Sequence, residues 1–131
     1  QRVVEIFAAT TRDSRTALQQ WLSAYAKQTL VPWLNQLSGE TGLPFCKAIV
    51  RGQKTCWGSC SPSHTISLNR SLLFLPAEMV RYLLVHELCH TAHADHSPRF
   101  WALVTRMEPR GKQLDARLRE AGRYVPSWAT R

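Results

Sequence analysis

The chain has 131 residues, enough for one domain with a single buried core. Hydrophobic residues make up 44% and charged residues 20%, the balance of a soluble globular protein rather than a disordered or fibrous one. Seventeen Lys and Arg against nine Asp and Glu give a net charge of +8, and no run approaches the ~18 apolar residues of a membrane span.

No signal-peptide pattern opens the chain, which begins at Gln1 and leaves an upstream segment open. Residues 3–9 are β-prone but short, a strand or a frayed end. From 14 to 37 the pattern turns helical. Leu18, Trp21, Leu22, Tyr25, Leu30, Trp33, Leu34 and Leu37 recur at three- and four-residue steps and read as core. Pro32 is expected to kink or split this run. Turn residues 38–42 end it. Residues 45–51 read as a strand, and 52–54 as a turn. Gly58 marks a bulge or a close backbone approach. Residues 64–69 alternate as a half-buried strand does. The fold expected is α+β: an N-terminal helical region, a short antiparallel sheet, a central helix and C-terminal helices over residues 1–131.

Pro76 opens the central helix, and its residues are apolar nearly all round, as in a buried element. That helix runs into His86-Glu87-Leu88-Cys89-His90, the H-E-x-x-H pattern. Two imidazoles four residues apart on one helix face can bind one zinc ion, and the Glu between them can take a proton from water. A third ligand is needed. On a straight helix His93 would lie roughly 10 Å along the axis from His86. Ser97-Pro98 reads as an N-cap and first residue of a new helix, so the chain turns near Asp95-His96. That turn swings His96 back over the first helix. The expected ligands are His86, His90 and His96 around one zinc ion, with Glu87 as catalytic acid/base and His93 nearby but unbound. Residues 97–107 form the next helix, with Phe100, Trp101 and Val104 inward. A short basic helix, 112–121, follows and is capped by Gly122, and the last nine residues are expected to be irregular.

The four cysteines, Cys46, Cys56, Cys60 and Cys89, form no C-x-x-C pair and read as free thiols of a reducing cytoplasm. From Arg99 to Arg131 eight basic and three acidic residues give a local net charge of +5. This is either a solvated face or an attraction for nucleic acid, but no nucleic-acid-binding motif accompanies it.

With these motifs in order, the chain resembles the YgjP-like metallopeptidase family, relatives of the WLM and SprT-like zinc peptidases. The residues that carry the likeness are Gln53-Lys54, residues 57–61 (Trp-Gly-Ser-Cys-Ser), residues 66–69 (Ile-Ser-Leu-Asn), Leu75-Pro76, residues 86–90, His96-Ser97 and Phe100-Trp101. It spans about residues 53–109. The resemblance implies a small zincin-like α+β fold, His86, His90 and His96 as zinc ligands, and Glu87 as acid/base. Two positions depart from the family's usual pattern: Cys56 precedes the tryptophan, and Asp95 stands before the third His, either as partner to a ligand imidazole or as a turn residue.

The leading expectation is therefore a cytoplasmic zinc metallopeptidase that hydrolyses peptide bonds of a peptide or protein with a zinc-bound water activated by Glu87. Asn69, His93 and Tyr124 are candidate donors to the oxyanion, and strand 64–69 is a candidate edge for pairing with extended peptide. Trp57 and Gly58 shape the wall beside the metal. Ser59 has no base placed to make it a nucleophile. The alternatives are a nucleic-acid-associated protein, a protease of nucleic-acid-bound proteins, or a hydrolase of non-peptide bonds using the same chemistry.

Overall fold

The computed structural model describes residues 11–52 and 56–129. The strand expected at 3–9 and most of the turn at 52–54 lie outside the described residues. Helix α1, Thr11–Thr41, is one unbroken helix with Pro32 inside it. Leu18, Leu22, Ala26, Leu30, Leu34 and Leu37 recur on one face and are buried. The expected break at Pro32 does not split the helix. Pro32 and Gln28, four residues before it, are both exposed, so water can reach the carbonyl that loses its donor. Trp21 and Tyr25 belong to no core stripe. They are exposed and stack on each other at 5.5 Å between ring centroids.

Strands β1 (Lys47–Arg51), β2 (Gly58–Cys60) and β3 (Thr65–Asn69) form a sheet in the order β1-β3-β2. β3 pairs antiparallel with β2 and parallel with β1. The sheet is thus mixed, not purely antiparallel as expected. A tight turn at Ser61–His64 makes β2 and β3 a hairpin, with His64 at φ 67° and its amide bonded to the Ser61 carbonyl. β1 reaches the other side of β3, and its direction there is parallel. Because β3 is central, Ile66, Ser67, Leu68 and Asn69 are all buried, and the alternating pattern does not leave one side in water. The strand considered as a peptide-binding edge is internal. Among the described residues β2 is an edge strand, and it lies beside the next helix.

A 3-10 turn, Arg70–Phe74, is capped by the Asn69 side chain and leads into α2, Ala77–Cys89. Met79, Val80, Tyr82, Leu83, Leu84, Val85, Leu88 and Cys89 are all buried. This is the central helix, packed against α1, β2 and the two helices after it. Those are α3, Pro98–Met107, and α4, Gly111–Arg119. Ser97 caps α3 by accepting from the Phe100 amide, with Pro98 in the first turn, as the sequence predicts. The chain end is more ordered than expected, with 3-10 turns at Ala121–Tyr124 and Ser127–Ala129. Arg70 ties the last of these to α1, donating to Ser23 Oγ at 3.1 Å and to the Ala129 carbonyl at 3.0 Å. The result is α+β, with three strands and α2 at the centre of the core.

Candidate metal centre

α2 ends at Cys89, and His90 is its C-cap in a still-helical conformation. His86 and His90 therefore remain one turn apart on one face. The helix stops before His93, and the turn to Ser97 brings His96 back. His96 Nε2 lies 3.2 Å from His90 Nε2 and 3.4 Å from His86 Nε2. Tetrahedral ligation with bonds of about 2.0–2.1 Å separates ligand nitrogens by about 3.4 Å. One ligand nitrogen from each of the three histidines lies within 4.8 Å of the other two, so the set fits a metal ion. His93 is not part of this group. Phe100 forms the floor, stacking on His90 at 4.3 Å between centroids and meeting His86 and His96 each at 5.0 Å.

The second ring nitrogens are engaged behind the site. His90 Nδ1 lies 3.0 Å from the His93 carbonyl, which can only accept, so Nδ1 carries the proton and the Nε2 lone pair faces the cluster. His86 Nδ1 meets the Tyr82 hydroxyl at 3.0 Å, and that hydroxyl donates to Asp115 Oδ1 at 3.0 Å. Burial, then the neighbouring His90, lowers His86 to about 4. It is neutral at ordinary pH, so its 3.9 Å approach to Asp115 is no ion pair. A neutral imidazole presents a free lone pair to a metal, and burial favours that form at His86 and His90.

Glu87 is 4% exposed, and its Oε1 is buried without a hydrogen-bond partner among the described residues. Burial pushes its carboxyl up to about 8. A buried carboxyl oxygen in the pocket that His86 also lines, left without a donor, lacks what a cation or a water would supply.

The chain matches the family model described as "YgjP-like, metallopeptidase domain" over residues 3–121. The chain belongs to the YgjP-like metallopeptidase family. No curated protein matches it. Among solved structures it is similar to the metallopeptidase zymogen of Pyrococcus abyssi abylysin, at 27% identity and a TM-score of 0.61. The likeness covers 69% of this chain and 91% of that one. At the level of the family, this YgjP-like chain is a metal-dependent peptidase.

A pocket of about 380 Å³ opens beside His86 and Glu87 in this YgjP-like domain. Trp57, Gly58, Leu83 and Leu118 line it, with Asp115 and Arg119 at one side. Trp57 and Gly58 are thus wall residues, as expected, and Trp57 Nε1 is fixed by the Leu118 carbonyl at 2.9 Å. A Cβ on Gly58 would lie 3.0 Å from Leu83 Cδ1, 3.1 Å from the Ser67 carbonyl oxygen and 3.3 Å from Glu87 Cγ. This is the close approach that the glycine signals. The proposed oxyanion donors fare less well. Asn69 is buried and spends its amide on the Cys56 carbonyl at 3.0 Å. Tyr124 is exposed, with Arg123 over its ring. Asp95 makes no hydrogen bond to a ligand imidazole among the described residues, and it is an exposed turn residue. Sequence reasoning missed Tyr82 and Asp115. Tyr82 had a signal, lying four residues before His86 on the same helix face. Asp115 had none.

Proposed function

We propose that this chain is a zinc peptidase in which His86, His90 and His96 hold one zinc ion and Glu87 is the general base. The observation that carries the reading is the convergence of three imidazoles at their ring nitrogens, with the next residue after His86 a buried Glu87 whose Oε1 has no partner among the described residues. An all-histidine set with one protein-free position suits zinc. When bound, zinc supplies Lewis acidity, polarising a carbonyl and acidifying water to a pKa of about 7.

The chain's own residues do the rest. Glu87 accepts the proton of the attacking water and returns it to the leaving amine. Burial raises the metal-free Glu87 carboxyl to about 8, and a bound cation would lower it toward the ionised form that a base needs. Phe100 and the engaged Nδ1 atoms of His86 and His90 hold the imidazoles in place. The pocket beside Glu87 receives a substrate side chain, and β2, an edge strand among the described residues, pairs with extended peptide. The four cysteines form no disulfide, which fits a reducing compartment such as the cytoplasm, and no described helix is long and apolar enough to cross a membrane. The nucleic-acid reading gains no support from the basic C-terminal third. There Arg110 and Arg117 are spent on Glu78, and Arg119 on Asp115.

Elemental mass spectrometry of the purified protein tests the centre. About one zinc per chain, lost in His96→Ala, is the expected result. A protein that holds no metal and takes up none when zinc is added would overturn the reading. A panel of peptide, ester and amide substrates then separates peptide hydrolysis from other zinc-dependent hydrolysis.

A further inference from the structure

We propose that Tyr82 and Asp115 are positioning residues for the metal centre: a relay from Asp115 through the Tyr82 hydroxyl holds His86 with Nδ1 protonated and the Nε2 lone pair aimed at the ion. The proposal rests on the reading of His86 as a ligand.

Proton counting carries it. The Tyr82 hydroxyl lies 3.0 Å from Asp115 Oδ1 and 3.0 Å from His86 Nδ1. A carboxylate only accepts, and a phenol has one proton to give. Tyr82 therefore donates to Asp115 and accepts from His86. His86 Nδ1 must carry the hydrogen. In a neutral imidazole that leaves Nε2 as the bare nitrogen, and Nε2 is the atom 3.4 Å from His96 Nε2. The opposite tautomer would put a proton where the metal belongs and leave Nδ1 and the phenol oxygen facing each other as acceptors.

The surroundings make this arrangement rigid. Tyr82 is wholly buried, so water does not compete for its hydroxyl. Burial, then the nearby Asp115, drives its pKa far above the usual phenol range, and the proton stays. Arg119 Nη2 takes the other carboxylate oxygen, Asp115 Oδ2, at 3.3 Å. Asp115 is thus held from both sides, and its two partners fix which oxygen faces Tyr82. The relay reaches across the fold. Tyr82 sits one turn before His86 on α2, whereas Asp115 belongs to α4, 33 residues beyond Tyr82. The helix after the H-E-x-x-H element thereby sets the orientation of the first histidine. His90 achieves the same end locally, through the His93 carbonyl.

The test uses the full chain with Tyr82→Phe, Asp115→Ala and Asp115→Asn. Three quantities are measured: the imidazole nitrogen shifts of His86 in the metal-free protein, zinc affinity by competition with a chelator, and the thermal midpoint. Wild type is expected to show the Nδ1–H tautomer alone. Tyr82→Phe keeps the ring packing, and it should give mixed tautomers and zinc binding about 10–100-fold weaker. Asp115→Ala should behave likewise. Asp115→Asn should retain part of the effect, because its amide oxygen still accepts from Tyr82. A purely structural role would lower the thermal midpoint and leave the His86 tautomer alone. Unchanged tautomer in both Tyr82→Phe and Asp115→Ala would overturn the proposal. Failure of wild type to take up zinc would instead remove the ligand reading, while the nitrogen shifts still decide the relay.

Discussion

Replacing Gly58 by alanine adds one methyl group where β2 crosses α2. The new Cβ would lie 3.0 Å from Leu83 Cδ1 and 3.1 Å from the Ser67 carbonyl oxygen. Leu83 can turn aside, but the carbonyl belongs to the central strand and cannot. Its register is fixed by pairing with β2 and β1. The strain should therefore cost about 1–3 kcal/mol, the usual range for overpacking a close-packed interior. For a chain of this length that is a fall of about 3–12 °C in thermal midpoint. The third neighbour is Glu87 Cγ at 3.3 Å, so the same methyl pushes on the proposed base. Peptidase turnover should drop at least about tenfold, because misplacement of a catalytic group by a fraction of an ångström is costly. Gly39→Ala is the matched control. Gly39 lies near the end of α1 with nothing within 4 Å of its added Cβ, so alanine there should stabilise by about 0.5–1 kcal/mol. Melting curves and a fluorogenic peptide library read both effects. If Gly58→Ala melted and turned over like wild type, the close packing of β2 on the site would be wrong.

Glu87→Gln should keep zinc and lose turnover by at least about a hundredfold, measured as metal content and peptide cleavage on one sample. Full activity in that variant would remove Glu87 as the base. The metal-free protein should also show a pH signature. Glu87 is raised from 4.5 to about 8, so its contribution to stability is whole below pH 4.5 and drains away as pH rises to 8. His86 is lowered from 6.5 to about 4, so its contribution is whole above pH 6.5 and is lost as pH falls towards 4. The midpoint should therefore be highest in mildly acidic solution, and Glu87→Gln should abolish the alkaline decline while sparing the acid one. An alkaline slope that survives in Glu87→Gln belongs to another group. Adding zinc at 1,000 times its Kd should stabilise wild type by about 4 kcal/mol, and His96→Ala should melt at the same temperature with and without the metal. Phe100→Ala should cost about 3–5 kcal/mol, since Phe100 is wholly buried, and it should loosen zinc through His90; a midpoint within a degree of wild type would contradict that.

The parts of the fold written in local sequence were the parts that could be read. The Ser97-Pro98 cap needs only neighbours, and it located the turn that returns His96. His86 and His90 follow from helix periodicity alone. The sheet is different, because strand order is a matter of long-range pairing. The apolar alternation of residues 64–69 is the same whether the strand is at an edge or at the centre. The arrival of β1 on its second side makes the sheet mixed and sets Arg51 against Ser67, while Asn69 is buried against the Cys56 carbonyl and the Ser71 amide. Trp21 and Tyr25 show the reverse error. They match the helical steps but lie on the margin of a stripe that the smaller Leu and Ala positions already fill.

The relay behind His86 shows where legibility ends and why. A ligand histidine needs an acceptor for its second nitrogen, and the sequence around His90 can satisfy that need locally, because the chain turns straight back past it. His86 lies in the last turn of α2, where the backbone carbonyls are still engaged, its own by the His90 amide. Its acceptor must come from a side chain one turn away or from another element. Tyr82 supplies the first step, but a buried phenol then needs an acceptor of its own, and no residue of α2 is placed to give one. α4, seated on the core through Leu114 and Leu118, meets that requirement by setting Asp115 against Tyr82. The need for such a residue follows from the first histidine; which residue meets it depends on how α4 packs, and no local pattern records that.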